Sequence, residues 1–175
     1  MFDWKDLNER IRQLMMEEVD ADSKSNCLYY SSKLSVQGRV DYLPLLRDTV
    51  LSGDETTFAT ALNEAGRLNS RQEPRFSNGT FSVPRMSSNA AEVLAEGEFN
   101  RFYIRAVCLR AIELNQETVI IYRANLANEP RWESEQLIGR QISASPLLKD
   151  LRQIIGRTRT FKIPEPGSGL SVCLP

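Results

Sequence analysis

Residues 90–114, AAEVLAEGEFNRFYIRAVCLRAIEL, read as one helix that is apolar on nearly every side. Phe99, Phe102, Ala106 and Leu109 form one stripe, Tyr103, Val107 and Leu114 a second, and Ile104 with Ala111 a third. A helix of this kind has to be surrounded by the rest of the chain. Asn89, three residues before Glu92, has the spacing of a capping box at its start. Gly97 costs about 1 kcal/mol relative to alanine inside a helix, so it marks a kink or a close approach of another backbone. Into this apolar cylinder the sequence sets Glu98, Arg101 and Arg105, which share a face by three- and four-residue spacing. Two readings follow. The charges are an ion-paired strip that keeps a buried helix satisfied, or Arg101 and Arg105 are contacts for phosphate or nucleic acid.

Composition removes several chemistries. The chain of 175 residues has no histidine, which excludes His-based triads and mixed Cys/His zinc sites. Cys27, Cys108 and Cys173 are far apart and lack C-x-x-C spacing, so they suggest a reducing compartment. Cys108 reads as a core hydrophobe, and a Cys27–Cys173 bridge is left open. With 22 basic and 23 acidic side chains, the net charge of −1 argues against a strongly basic nucleic-acid coat but leaves room for a local patch. No apolar run is long enough to span a bilayer, and MFDWKDLNER has no signal-peptide pattern, so a cytoplasmic protein without membrane contact is expected. No phosphate-binding or dinucleotide motif occurs, and no cofactor or metal is expected.

The remaining segments predict an α+β fold in a single domain spanning 1–175. Asp3 as cap and Phe2 with Leu7 as staple predict a first helix running to about Val19. CLYYSSKLSV (27–36) predicts a short strand, and a helix follows from near Asp41 or Pro44. Ser52 with Glu55 caps another helix that ends at Gly66. These elements make an N-terminal helical half, 1–68. Residues 69–89 are a long loop or linker, with SNGT as the tip of a small hairpin. The last part, 90–175, holds the apolar helix, strands at 118–126 and 136–143 forming a small antiparallel sheet, and a final helix from Pro146 to Gly156. It ends in a Pro/Gly-rich tail.

With these exclusions, the sequence supports a non-enzymatic protein–protein interaction module, acting as a regulator, inhibitor or assembly component. Aromatic, Met and Arg side chains are the usual currency of such surfaces. Phe76, Phe81 and Arg85 in the long loop, with Arg131 and Trp132 between the strands, are the expected partner-binding residues. Trp132 is the expected anchor. The alternative is a winged-helix-like nucleic-acid binder using Arg101, Arg105, Arg157, Arg159 and Lys162. A remote alternative is a His-free transferase. Arg123 with Glu133 and Glu135 resembles the arginine and paired-glutamate elements of ADP-ribosyltransferases, but nine intervening residues leave no room for the strands that family places between them.

Overall fold

The computed structural model describes residues 2–72, 74–77, 80–125, 132–153, 163 and 168–175, with 75–77 and 80–81 described by backbone alone. In chain order the elements are α1 (Glu9–Lys24), α2 (Val36–Ser52), α3 (Glu55–Leu62), β1 (Arg75–Ser77), β2 (Thr80–Ser82), α4 (Ala90–Glu113), β3 (Thr118–Arg123), α5 (Trp132–Glu135), β4 (Gln141–Ser143), α6 (Ala144–Leu151) and β5 (Leu170–Cys173). The fold is α+β, as the sequence predicts. Among the described residues no helix is long and apolar enough to cross a membrane. The chain divides into two compact units, one from residues 1–29 and 97–175, the other from 30–96. Helix α4 begins in the second unit and continues into the first.

In the second unit, α2 starts at Val36, because Ser35 accepts a hydrogen bond from the Gly38 amide at 2.9 Å. The strand expected at 27–36 is therefore absent; one bridge, Leu34 to Leu68, is all that pairs there. Pro44 lies inside α2 instead of opening it, on the exposed side where solvent replaces the bond it removes. Asp54, rather than Ser52, caps α3 through the Thr57 amide. Tyr42, Leu46, Val50, Phe58 and Leu62 are fully buried. The expected loop 69–89 is largely a hairpin: Arg71 bridges Arg85, and β1 pairs with β2 so that Phe76 and Phe81 are register partners.

The first unit opens with a strap where a helix was expected. Residues 2–4 run outside any helix into a turn at 5–6, because their backbone groups are used elsewhere. The Asp3 amide donates to the Ala124 carbonyl at 2.6 Å, Tyr122 donates its hydroxyl proton to the Asp3 carbonyl at 2.7 Å, and the Asp6 amide donates to the Tyr103 hydroxyl at 3.1 Å. Trp4 rests on Phe99 and Tyr103, with ring centroids 5.1 and 4.7 Å away. Burial pushes the Tyr122 hydroxyl up to about 12 and that of Tyr103 higher still, so both stay protonated near neutral pH, Tyr122 as a donor to the strap and Tyr103 as an acceptor from it. Asn8 then caps α1.

The sheet of this unit has the order β4–β3–β5, antiparallel throughout. β3 is the expected strand. β4 is shorter than expected, since residues 136–139 form turns after the one-turn helix α5. The ladder opens on a bulge. Gly139 donates to the Ile121 carbonyl and the Ile121 amide donates to the Arg140 carbonyl, so two residues oppose one, with Gly139 at φ +79°. β5 comes from the segment expected to be a tail, and it is buried along its whole length. Two groups on its outer side are held: Asn100 on α4 donates to the Leu170 carbonyl at 2.8 Å, and the Leu174 amide donates to the Asp6 carboxylate at 2.9 Å. All three cysteines are free, so the Cys27–Cys173 bridge is not formed.

Two helical glycines separate backbone need from chance. A Cβ on Gly38 would sit 2.0 Å from the Arg67 carbonyl oxygen, whereas one on Gly97 would meet nothing within 4 Å. Gly97 thus marks no close approach. Gly97→Ala is expected to raise stability by about 0.5–1 kcal/mol, and Gly38→Ala to lower it by about 1–3 kcal/mol; chemical denaturation of both variants checks the opposite signs.

Candidate functional site

The two central arginines of α4 are the first place to look for a site. From Glu98 through Cys108 every residue of the helix is buried. Arg101 and Arg105 are 2% and 1% exposed. Arg105 donates from Nε to Glu18 at 2.6 Å and from Nη1 and Nη2 to the two oxygens of Asp22 at 2.7 and 2.9 Å. Arg101 reaches Asp22 at 3.3 Å, lies 3.5 Å from Glu98, and donates from Nε to the Leu151 carbonyl at the end of α6. Their guanidinium carbons lie 5.5 and 5.0 Å from the Phe102 ring centroid. Arg152, with 45% of its side chain exposed, closes the rim by gripping Glu18.

This is a network of three acids (Glu18, Asp22, Glu98) and three arginines, so its formal charges cancel. Burial alone would raise the carboxyl pKa of Glu18, but the hydrogen bond from Arg152 and the charge and hydrogen bond of Arg105 outweigh it and hold Glu18 below the ordinary 4.5. Glu18 and Asp22 are one helical turn apart on α1, which is why a single guanidinium spans both. Arg105 and one end of Arg101 are committed to carboxylates inside the unit, and both side chains are buried. With α4 buried through its middle, it also offers no open polar face to a DNA groove.

The surface carries a different set of groups. Trp132 is 73% exposed, and Ile138, on the same connection between β3 and β4, is 38% exposed. No ring contact is made by Trp132 among the described residues. Its backbone is nevertheless fixed. Ser134 is buried, the turns continue through amide bonds from Gln136, Leu137 and Ile138, and Glu135 is ion-paired with Arg123. Arg123 also donates to the Ser168 carbonyl at 2.8 Å, so the arginine and glutamate set aside as transferase elements form a clamp under α5. Glu133 is exposed.

The other expected residues divide as follows. Arg85 is exposed at the base of the hairpin, and the backbones of Phe76 and Phe81 are register partners. Arg131, Arg157, Arg159 and Lys162 lie outside the described residues. Trp132 belongs to the first unit and the hairpin residues to the second. Sequence reading missed Ile138, which it placed in a strand; the signal was Gly139, since an isolated glycine in a strand pattern marks a bulge. It also missed the exposed Val36, Val40 and Leu51 of α2. An open depression of about 350 Å³ lined by Ile112, Leu148, Lys149 and Arg152 adds a further amphipathic surface in the first unit.

Comparison of the chain with protein-family models, with curated proteins and with solved structures finds no match.

Removing one member of the buried network strands the others. Arg105→Ala is expected to cost about 3–5 kcal/mol, read by urea denaturation. Because the pKa of Glu18 is lower folded than unfolded, its contribution is complete above 4.5 and is lost as pH falls through the depressed value. Glu18→Gln is expected to flatten that acid limb of the stability curve.

Proposed function

We propose that the chain is a non-enzymatic binding protein that works through protein–protein contact, as a regulator, inhibitor or assembly component, with Trp132 as its anchor. One observation carries this reading: the largest side-chain type in the protein stands 73% exposed on a turn whose backbone is clamped by Arg123–Glu135 and the buried Ser134. An aromatic held at the surface on a fixed backbone loses little freedom on binding and buries a large apolar area. Such residues dominate the energetics of many interfaces. Ile138 extends the apolar area along the same connection.

The nucleic-acid alternative draws on Arg131, Arg157, Arg159 and Lys162 as well as the buried pair Arg101 and Arg105. The internal commitment of Arg101 and Arg105 favours the protein reading, since the only arginines placed on α4's shared face are used up within the fold.

Trp132→Ala is expected to change unfolding free energy by no more than about 0.5 kcal/mol, as for an exposed site, while abolishing recovery of a partner in parallel nuclease-treated pull-downs with wild-type and variant bait. A fall in stability of several kcal/mol would place the ring in the core, and recovery that disappears with nuclease would favour nucleic acid.

A further inference from the structure

The two edges of the three-stranded sheet are treated differently. In an antiparallel ladder alternate residues turn both backbone groups to the same side. The inward bonds of β4 are made by the Arg140 carbonyl to Ile121 and by the Ala144 amide to the Glu117 carbonyl, with Ile142 opposite Val119 between them. Gln141 and Ser143 therefore turn their amides away from β3, and Gln141 its carbonyl too. Both residues are exposed, and among the described residues these groups have no partner. At the other edge β5 is buried along its length, with Asn100 on the Leu170 carbonyl and Asp6 on the Leu174 amide just past its end. The open edge directly follows the connection that carries Trp132 and Ile138.

We propose that the partner binds as an extended polypeptide segment that adds a strand to β4, hydrogen-bonding to the Gln141 amide and carbonyl and the Ser143 amide while its apolar side chains meet Ile138 and Trp132. This names the kind of partner for the Trp132 surface and rests on that reading. The unpaired groups alternate donor, acceptor and donor along one line, a pattern that an extended main chain matches and a helix, with its backbone bonds closed internally, does not. Ile138 lies three residues before Gln141, at most about 10 Å along the chain, within reach of a short added strand. A second copy of this chain fits less well. Its β4 is bounded by the Gly139 bulge and by α6 from Ala144, so it offers three residues to the ladder, whereas a free segment continues towards Ile138.

Gln141→Pro tests the edge without touching the sheet, because the amide it removes points outward and proline is tolerated at such positions. The probe is the tightest-binding short linear peptide selected from a random display library against the full chain, titrated against wild type, Gln141→Pro and Trp132→Ala. Affinity is expected to fall on the order of tenfold in Gln141→Pro, for the loss of one hydrogen bond and its neighbours, and to fall at least as far in Trp132→Ala. N-methylation of alternate peptide amides is expected to abolish binding and of the intervening amides to leave it intact; this scan carries the test if Gln141→Pro does not fold. Loss in Trp132→Ala alone, with no alternation in the N-methyl scan, overturns the strand addition and leaves the anchor standing. Loss in Gln141→Pro alone overturns the anchor and keeps the edge. A library that yields no binder, or self-association that Gln141→Pro abolishes, overturns the peptide-strand proposal.

Discussion

Arg105 is the side chain on which the first unit depends. Its guanidinium spans Glu18 and Asp22, one turn apart on α1, and so fixes both the rotation and the height of α1 against α4. Arg101 repeats the contact to Asp22 and turns its Nε to the last carbonyl of α6. Three helices are thereby registered by two arginines. Apolar packing alone tolerates sliding by a turn at modest cost, whereas a displaced guanidinium here would leave carboxylates buried and unpaired. The net stabilisation from such a network is small, because desolvation offsets much of the Coulomb attraction. Its effect is on which arrangement is allowed.

That constraint explains the composition of α4. A helix surrounded on all sides is expected to be uniformly apolar, yet this one carries Glu98, Asn100, Arg101 and Arg105 in its buried stretch. Each has a defined task. Asn100 holds the outer edge of β5 through the Leu170 carbonyl and the Ser171 hydroxyl. The strap at residues 2–6 is positioned by the hydroxyls of Tyr103 and Tyr122, one on α4 and one on β3. The polar groups of the interior therefore act as addresses: each directs one distant segment to one place on the central helix or strand.

The long local patterns were legible in the sequence. α4 follows from its apolar periodicity almost to the residue, and β3 from its β-branched run; the expected Asn-Gly tip between β1 and β2 lies outside the described residues. What the sequence concealed depends on distant partners. Asp3 and Phe2 have the local signature of a helix start, but Ala124, Tyr103 and Tyr122 hold the Asp3 and Asp6 backbone groups, so the start moves to Asn8. β5 lies in a Pro/Gly-rich segment with four residues of strand, too short for periodicity to register, and exists because β3 needs a second neighbour. The Arg101–Arg105 face was read correctly as a charge cluster, but its partners on α1 are more than eighty residues away for Arg105 and could not be named from spacing. Trp132 was legible as a surface aromatic, whereas the open edge beside it needed the ladder's phase, which the Gly139 bulge sets.

The same division of labour bears on where binding can reside. Groups that define the fold are largely occupied within it: Arg105 has the carboxylates of Glu18 and Asp22, the Leu170 carbonyl and the Leu174 amide have Asn100 and Asp6, and the tyrosine hydroxyls have the strap. Recognition needs groups whose partners are missing from their own chain. Among the described residues of the first unit, the ring of Trp132, the side chain of Ile138 and the outward amides of β4 are groups of this kind, all within one stretch of twelve residues, 132–143. The clamp between Arg123 and Glu135 ties this stretch to β3, the strand whose other side is sealed by β5. A surface so anchored presents its unsatisfied groups without having to reorganise, and affinity gained there is not spent on ordering the backbone.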